Sequence, residues 1–319
     1  MLSDVRIQVI ILTYKQRYDL LSRVILSLIN ESLINDILVV DNGCDYDLIN
    51  EVYISNLPSS VRVLKINNPV GTSKAFVQAF DMANKHSTHI LILDDDNVLE
   101  GSLDSVKQFL DEKSIINLLR SEREPYSSSY MLGKNIKFLN NSFYGFSLFN
   151  YISNFFYKKM IFFHTRATST SVDFVESDML PFGGTIFPIS LLNNISLNKN
   201  FILYHDDIDF FYRSKGIGYK LRITSLCKTV DIDNSWHNKN MNLLDSLRLS
   251  PENVYYAIRN KVFFEYRHSS FKIYFYLNMF IWRFIFFVKN IKKAGSFEYS
   301  LLNKAISDGL QGKLGVFEK

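Results

Sequence analysis

Short apolar runs alternate with amphipathic stretches through the first 110 positions of the chain. Unbroken apolar runs of this length predict strands buried on both faces, at residues 5–12, 37–40, 61–66 and 90–93. Apolar residues at helical spacing predict helices at residues 18–30, 46–54, about 72–85 and about 102–110. Short links between alternating strands and helices predict an α/β fold with a doubly wound, mostly parallel, Rossmann-like sheet flanked by helices.

Three consecutive carboxylates, Asp94, Asp95 and Asp96, follow the apolar run at residues 90–93. Acids packed this closely repel one another, and one would retain its proton unless a cation lies among them. The carboxyl ends of parallel strands are where open α/β sheets bind ligands, and Mg²⁺ or Mn²⁺ with a diphosphate would remove the repulsion. The alternative is an acidic turn that caps the next helix.

Other strand ends carry polar groups. Asp41 follows the second strand and could bond a base N–H or a ribose hydroxyl, or serve only as a turn residue beside Gly43. The turn before the third helix carries Lys74, and backbone amides at a helix N-terminus suit a phosphate. Neither a Walker A loop nor a G-x-G-x-x-G fingerprint is present in the sequence.

Beyond residue 170 the pattern resumes, with strands predicted at residues 172–176, 219–223 and 228–232. Gly183 and Gly184 would let backbone approach a bulky ligand, or would simply form a tight turn. A helix is predicted to begin near Asp206. It would place Asp206 or Asp207 at the mouth of the ligand-binding pocket expected at the strand ends, where the carboxylate could accept a proton. The alternative is that these aspartates only cap the helix. His237 becomes a ligand only if the fold returns it to the Asp94–Asp96 cation.

Composition narrows the class of protein. An apolar content of 47% is ample for a core, and a net charge of +4 gives no reason to expect a nucleic-acid partner. Two cysteines, Cys44 and Cys227, form no disulfide framework, and the first residues lack a signal-peptide layout, so we expect a cytoplasmic protein. The 27 phenylalanines and 18 tyrosines are concentrated after residue 141.

Residues 271–291 predict a helix that combines Phe, Tyr and Trp with lysines and Arg283. Because Arg283 divides the segment, a helix lying in the membrane interface is favoured over one that spans the bilayer. Lys292 and Lys293 add attraction to anionic lipid. The alternative is a helix of the core or of an oligomer contact.

The ordered set of motifs resembles family 2 glycosyltransferases with a GT-A fold. The matching pieces are VIILTY at the first strand, VVDNG at the second, Asn68-x-x-Gly71, the acidic triplet, Gly183-Gly184, DDIDF from Asp206, and Trp236-His237. NVYYAIRN from Asn253 and AISDGLQGKLG from Ala305 resemble the tail of bacterial galactofuranosyl- and rhamnosyltransferases of this family. One departure is the turn PVGTSK, where galactofuranosyltransferase-like members usually carry a glycine-rich run.

The resemblance implies a role for each matched position. Thr13, Tyr14 and Asp41 would hold the nucleoside, Lys74 would lie near the diphosphate, and Asp95 would face the ribose or sugar, with Gly183, Gly184 and Trp236 also at the substrate. Asp94, Asp96 and His237 would bind Mn²⁺ or Mg²⁺. Asp207, or in its place Asp206, would be the catalytic base.

The resemblance further implies an inverting, metal-dependent transfer, with UDP-galactofuranose as donor and a lipid-linked glycan of a bacterial surface polysaccharide, such as O-antigen or capsule, as acceptor. A rhamnosyltransferase that uses dTDP-rhamnose is the nearest alternative. A nucleotidyltransferase or a non-catalytic carbohydrate-binding protein represents a different class.

We expect residues 1–240 to form the catalytic domain, with an irregular aromatic-rich excursion at 121–170. Residues 241–319 would be a helical region near the acceptor, peripheral at the inner face of the cell membrane. An oligomer is compatible with the sequence.

Overall fold

A computed structural model describes residues 5–54, 60–152, 173–233 and 242–317 of the chain. Within these ranges, nine strands form a mixed sheet. They are β1 (Ile7–Thr13), β2 (Ile34–Asp41), β3 (Val61–Lys65), β4 (His89–Asp94), β5 (Asn97–Glu100), β6 (Ser114–Leu119), β7 (Val175–Glu176), β8 (Thr185–Pro188) and β9 (Lys220–Asp231). The strand order is β3-β2-β1-β4-β8-β6-β9-β5, and β7 also pairs with β9.

The helices within the described ranges alternate with strands at first and then gather toward the C-terminus. They are α1 (Tyr18–Leu28), α2 (Leu48–Ile54), α3 (Thr72–Asp81), α4 (Tyr126–Met131), α5 (Asp206–Gly216), α6 (Leu243–Leu249), α7 (Pro251–His268), α8 (Lys272–Lys289) and α9 (Phe297–Gln311). The α/β class, the sheet flanked by helices and the helical C-terminal region are as predicted.

Strands β1 to β4 form the predicted parallel half of the sheet. β1 pairs in parallel with both β2 and β4, and β2 pairs in parallel with β3. The register sets Thr13 opposite Asp41 and Leu12 opposite Asp94, so the polar residues that end three strands meet at one edge.

The other half of the sheet is mixed. β8 runs antiparallel to β4 and β6, whereas β6 and β9 are parallel. The two strands predicted at 219–223 and 228–232 are one strand, β9, because a bulge absorbs the residues between them. Leu118 pairs with Thr224, and the next residue, Leu119, pairs with Lys228. The strand predicted at 172–176 is shorter in the structure, where β7 is Val175–Glu176.

The helix predicted at residues 102–110 is wrong. Two 3₁₀ turns, Leu103–Ser105 and Lys107–Phe109, take its place. Leu103, Val106 and Leu110 are buried at a spacing that imitates an α-helix, which explains the prediction. The Ser105 hydroxyl bonds the carbonyls of Ser102 and Leu226, a local alternative to the helical hydrogen bonds.

The core lies on both faces of the sheet, as a doubly wound fold requires. On one face, Val9 and Ile11 of β1 pack in the cluster that includes Val24 and Ile25 of α1. On the other face, Ile10 belongs to the cluster that contains Ala75, Phe76 and Ala79 of α3. Alternate β1 residues therefore face opposite layers.

The described residues divide into two compact units. The first holds the described parts of 1–137, 169–199 and 206–238, and the second those of 138–168, 200–205 and 239–319. This division differs from a boundary at 240, since residues 138–152 and 200–205 group with the C-terminal helices. The second unit has its own core, in which α7 and α9 contribute Tyr255, Val262, Leu302 and Ile306.

Within the described ranges, no helix combines the length and the apolar character needed to cross a membrane.

Candidate active site

The acidic triplet lies where β4 ends, and its three side chains differ in environment. Asp95 is buried and accepts hydrogen bonds from the Thr13 hydroxyl at 2.8 Å and from Arg17 Nε at 2.9 Å. Burial raises the pKa of Asp95 to about 6. Burial, together with the charges of Asp94 and Asp95, raises the pKa of Asp96 to about 7. The Asp94 side chain is 44% exposed and is the most open of the three.

Arg17 joins three acids at the start of α1. Its Nε bonds Asp95, its Nη2 lies 3.1 Å from Asp96 Oδ2, and its Nη1 lies 2.8 Å from Asp233 Oδ2. The same guanidinium lies 5.7 Å from the centre of the Tyr14 ring. A planar guanidinium with several donors suits this bridging role better than a lysine would.

Arg120 follows β6 and also joins two acids, Asp94 and Asp231. It is 5% exposed, and its Nη1 donates to Asp94 Oδ2 at 3.0 Å and to Asp231 Oδ1 at 3.3 Å. Asn97 Nδ2 donates to the same Asp231 oxygen at 2.7 Å, and Arg123 Nε reaches Asp231 Oδ2 at 2.6 Å. The end of β9 is thereby tied to the acids at the end of β4.

The cluster carries more negative than positive charge. Five carboxylates, those of residues 94, 95, 96, 231 and 233, are paired with three guanidiniums, those of residues 17, 120 and 123, which leaves a formal charge of −2. The raised pKa values of Asp95 and Asp96 reflect burial and this shortage of positive charge. A divalent cation would balance the cluster, and the carboxylate oxygens of Asp94 and Asp96 are hard donors that suit Mg²⁺ or Mn²⁺.

The metal site itself is not formed by the residues described. Within those ranges, no three histidine, cysteine, aspartate or glutamate side chains are arranged to hold a metal ion. The third predicted ligand, His237, lies outside the described residues, as does Trp236, which was predicted to bind the substrate. The metal assignment of Asp94, Asp96 and His237 therefore stays a prediction.

Gly183 lies directly against the Asp94 carboxylate. A Cβ added at this position would meet Asp94 Oδ2 at 2.5 Å, Asn97 Oδ1 at 2.6 Å and Arg120 Nη1 at 3.0 Å. Gly184 has a φ of +81°, and a Cβ there would lie 2.9 Å from Thr229 Oγ1. The pair therefore forms the tight turn that the sequence offered and brings backbone close to the acids, whereas its approach to a bulky ligand stays a prediction.

The two candidate bases at the start of α5 have different surroundings. Asp206 is buried, and its Oδ2 accepts from the hydroxyls of Thr72 at 3.1 Å and Ser73 at 3.0 Å. The N-cap of α3 is Gly71, and Thr72 and Ser73 of its first turn donate to Asp206. Asp206 therefore joins the N-termini of α3 and α5.

Asp207 lies close enough to Asp94 for the charge of that carboxylate to act on it. Its Oδ2 accepts from the Phe182 amide at 3.4 Å and its Oδ1 from the Ile208 amide at 2.7 Å. Burial and then the charges of Asp206 and Asp94 raise the pKa of Asp207 to about 7. A carboxylate whose pKa is close to neutral is suited to accepting a proton at physiological pH.

The predicted nucleoside residues lie at the ends of β1 and β2. Asp41 is 3% exposed, and its Oδ1 accepts from the amides of Gly43 at 3.0 Å and Cys44 at 2.8 Å, which is the turn role left open by the sequence. Tyr14 is 43% exposed, which leaves much of its ring accessible for stacking. Lys74 is exposed in the first turn of α3. Contacts with a nucleotide stay a prediction for all of them.

Most predicted site residues are therefore brought to one edge of the sheet. Thr13, Asp95 and Arg17 form one set of contacts, and Gly183 touches Asp94. Asp207 bonds the amide of Phe182, the residue before Gly183.

Sequence reasoning missed Arg17, Arg120, Arg123, Asp231 and Asp233. The signal that could have found the last two is their place at the end of a predicted strand, the same criterion that singled out the triplet. Tyr126 was also missed. Burial raises the pKa of this phenol, and the charges of Asp207 and Arg120 act on it as well.

The sequence of residues 8–168 matches the family model described as glycosyl transferase family 2, which is just over half of the chain. The chain belongs to glycosyl transferase family 2. The acids at the carboxyl ends of the parallel strands of this glycosyltransferase therefore belong to an enzyme. The nucleotidyltransferase and carbohydrate-binding alternatives are set aside.

Solved structures similar to the glycosyltransferase share its fold. TarS 1–349 of S. aureus in complex with UDP-GlcNAc has a TM-score of 0.53 at 13% identity, over 96% of this chain and 81% of that one. GalNAc-T7 with UDP, GalNAc and Mn²⁺ has a TM-score of 0.51 at 12% identity, over 78% of this chain and 48% of that one.

A longer chain of S. aureus TarS has a TM-score of 0.48 at 14% identity, over 81% of this chain. The glycosyltransferase spans only 39% of that chain's length. No curated protein matches the glycosyltransferase in sequence.

Proposed function

We propose that the protein transfers a sugar from a UDP-sugar to a hydroxyl group of a lipid-linked saccharide, with inversion at the anomeric carbon. The observation that carries this proposal is the bond of Asp207 to the Phe182 amide, next to Gly183, which lies against Asp94, together with a pKa of Asp207 raised to about 7. That combination supplies a base next to the place where a nucleotide diphosphate would lie.

In the proposed reaction, Asp207 accepts the proton of the acceptor hydroxyl as its oxygen forms a bond to the anomeric carbon. The bond between that carbon and the diphosphate oxygen breaks, and UDP leaves with the electron pair. Attack from the face opposite the leaving group inverts the configuration. No covalent intermediate is needed, which is consistent with Asp206 being engaged by Thr72 and Ser73.

Asp94 and Asp96, with His237, would hold the divalent cation. Its chemical contribution when bound would be to neutralise the diphosphate of the departing nucleotide. GalNAc-T7, which shares the fold, is described with Mn²⁺. If chelation by EDTA leaves transfer intact, this part of the proposal is wrong.

The identity of the donor sugar is the most specific part of the proposal. We place UDP-galactofuranose first, on the strength of the tail motifs from Asn253 and Ala305, and dTDP-rhamnose second. UDP-GlcNAc joins the comparison because TarS 1–349 is described in complex with it. A donor screen with these three, UDP-galactopyranose and UDP-glucose should give nucleotide release with one donor, and the linkage of the product follows from NMR.

The base assignment has a matched test, because Asp206 and Asp207 are neighbours with different contacts. Asp207→Asn should reduce transfer by at least about 100-fold, the size of a general-base contribution. The donor KM should change little, because Asp207 acts on the acceptor hydroxyl. Asp206→Asn keeps one side-chain oxygen as an acceptor for Thr72 or Ser73 and should retain more activity. The reverse order would move the base to Asp206.

The exposed face of α8 supports a membrane surface as partner. Ile273, Leu277, Phe280, Phe284 and Phe287 recur every three or four residues and are each at least 40% exposed. Such spacing places them on one side of the helix. Along the helix, only Phe275 and Asn278 are buried.

Charge favours an anionic bilayer as the occupant of this face. Residues 266–297 contain no aspartate or glutamate but six lysines and arginines. Lys289, Lys292 and Lys293 follow the apolar stripe at its C-terminal end. Apolar contact and attraction to acidic headgroups then act together. A membrane position would bring the enzyme to a lipid-linked acceptor.

Vesicle flotation tests the membrane proposal. The protein should float with vesicles of phosphatidylglycerol and phosphatidylcholine, and Phe280→Glu/Phe284→Glu should remain in the soluble fraction. Leu249→Glu/Val316→Glu adds the same charges at exposed positions of the same unit, off α8, and should still float. Absence of flotation would refute the proposal. A dimer that the α8 variant converts to monomer would make α8 an oligomer contact instead.

A further inference from the structure

Arg17 directs each nitrogen of its guanidinium group at an acid of the first unit. Its Nε bonds both carboxylate oxygens of Asp95 at 2.9 Å, and its Nη1 bonds Asp233 Oδ2 at 2.8 Å. Its Nη2 donates to Asp96 Oδ2 at 3.1 Å, which is the longest of these bonds. Arg17 therefore holds Asp95 firmly and Asp96 by a single, longer bond.

Both carboxylate oxygens of Asp96 have a hydrogen-bond partner. Its Oδ1 accepts from Asn97 Nδ2 at 3.2 Å, and its Oδ2 accepts from Arg17. Asn97 is fully buried, and its Nδ2 also donates to Asp231 Oδ1 at the shorter distance of 2.7 Å. Because Asn97 is fixed by burial and by Asp231, Arg17 is the neighbour that can release Asp96 and still keep its other acids.

Arg120 also bonds the triplet, through Asp94, but it is less able to move. Its side chain is 6% exposed, against 17% for Arg17. A Cβ at Gly183 would lie 3.0 Å from its Nη1, so backbone encloses this guanidinium closely. Of the two arginines, Arg17 therefore has more room to adjust when another cation approaches the acids.

A divalent cation bound to Asp96 would lie next to the Arg17 guanidinium, and the two positive charges would repel each other. We propose that Arg17 is a positioning residue that serves as an internal counter-charge, which holds Asp96 in place before a divalent cation binds and releases it afterwards. The bonds with Asp95 and Asp233 keep Arg17 beside the triplet after that release. This inference rests on the proposed function, in which Asp96 binds the cation.

Binding of Mn²⁺ alone tests the proposal without turnover. Free Mn²⁺ is measured by EPR as MnCl₂ is added to the full chain at pH 8, and Arg17→Gln, which lacks the opposing charge, should bind Mn²⁺ at least about 5-fold more tightly. Arg62→Gln is the matched control, because it removes the same charge from an ion pair with Asp36 near the amino ends of β2 and β3. The triplet, at the carboxyl end of β4, lies beyond the Debye length of about 8 Å at 0.15 M salt, so the Kd of this control should change by less than about 2-fold.

Thermal unfolding gives a second measurement. In EDTA, Arg17→Gln should have a lower Tm than the unmodified protein, because buried acids lose their cation, and saturating Mn²⁺ should raise its Tm by more. Mn²⁺ binding by Arg17→Gln that is equal or weaker would overturn the proposal, as would a variant that stays unfolded in saturating Mn²⁺. Failure of the unmodified protein and of Arg17→Gln alike to bind Mn²⁺ would instead refute the cation of the proposed function, and this inference with it.

Discussion

Gly183→Ala adds a methyl group to the candidate site at a position where φ is not in the left-handed region, so the backbone can accept alanine. The new methyl group would lie 2.5 Å from Asp94 Oδ2 and 2.6 Å from Asn97 Oδ1. Arg120, at 3.0 Å, is buried and held by Asp94 and Asp231, so it has little freedom to move. Asp94, with a side chain 44% exposed, is the neighbour that can give way.

The geometry sets the size of the expected effect. The favourable distance between non-bonded heavy atoms is roughly 3.5 Å, so the Asp94 carboxylate must move by about 1 Å. Displacement of a catalytic or binding group by about 1 Å costs roughly 100-fold in rate. That factor corresponds to about 2.7 kcal/mol of transition-state stabilisation. Asp94 can move toward solvent, but the fully buried Asn97 must shift as well, so a lower Tm should accompany the loss of activity.

The assay is nucleotide release in the presence of acceptor, together with thermal unfolding. Gly183→Ala should lower kcat/KM by about 100-fold when activity is measured at a temperature well below its Tm. Gly216→Ala, in the same unit, is the matched control, since a Cβ there meets nothing within 4 Å. Activity of Gly183→Ala close to that of the unmodified enzyme would refute the placement of Asp94 at the reaction site.

Other measurements test the charges and the packing. The kcat/KM for the donor, which reports the free enzyme, should fall as the pH drops through about 7, where Asp207 gains its proton, and a kcat/KM profile flat across that range would contradict the base. In the folded state the pKa of Asp96 is raised from 3.8 to about 7, so its contribution to stability is lost as the pH rises between those values. Mn²⁺ should consequently raise the Tm more at pH 8 than at about pH 5.5, and equal Tm shifts would argue against a cation at the triplet. Gly309→Ala should destabilise the second unit by about 1–3 kcal/mol, measured by denaturation, because its Cβ would lie 2.6 Å from the Arg259 carbonyl. Unchanged stability would mean that α7 and α9 are free to separate.

The parallel half of the sheet could be predicted because its signal is local. Each of its strands is a continuous apolar run, and each helix between them shows its buried face at helical spacing. The same rule failed at residues 102–110, where Leu103, Val106 and Leu110 have helical spacing but Ser105 bonds the carbonyl of Leu226 instead. A contact with a residue more than 100 positions away cannot be deduced from a window of the sequence.

Candidate acids were likewise visible at strand ends, but the cations between them were not. Arg17 lies beside Asp95 and Asp96 because β1 and β4 are neighbours, which the strand pattern allows but does not impose. Arg120 reaches Asp94 because β8 lies between β4 and β6 and runs antiparallel to both. That order depends on how the chain returns after residue 173, where the local pattern gives no register.

The paired arginines also change what the triplet means chemically. Three bare carboxylates would demand a cation for stability alone, whereas Arg17 and Arg120 already offset much of their charge. The remaining formal charge of −2 in the cluster matches one divalent ion, and the most exposed carboxylate, that of Asp94, is the one open to it. The charge of Asp94 also contributes to the raised pKa of Asp207. Neutralising the triplet would therefore lower the pKa of Asp207. Occupation of the donor site by a cation and nucleotide would then favour the deprotonated form of Asp207, which can accept a proton.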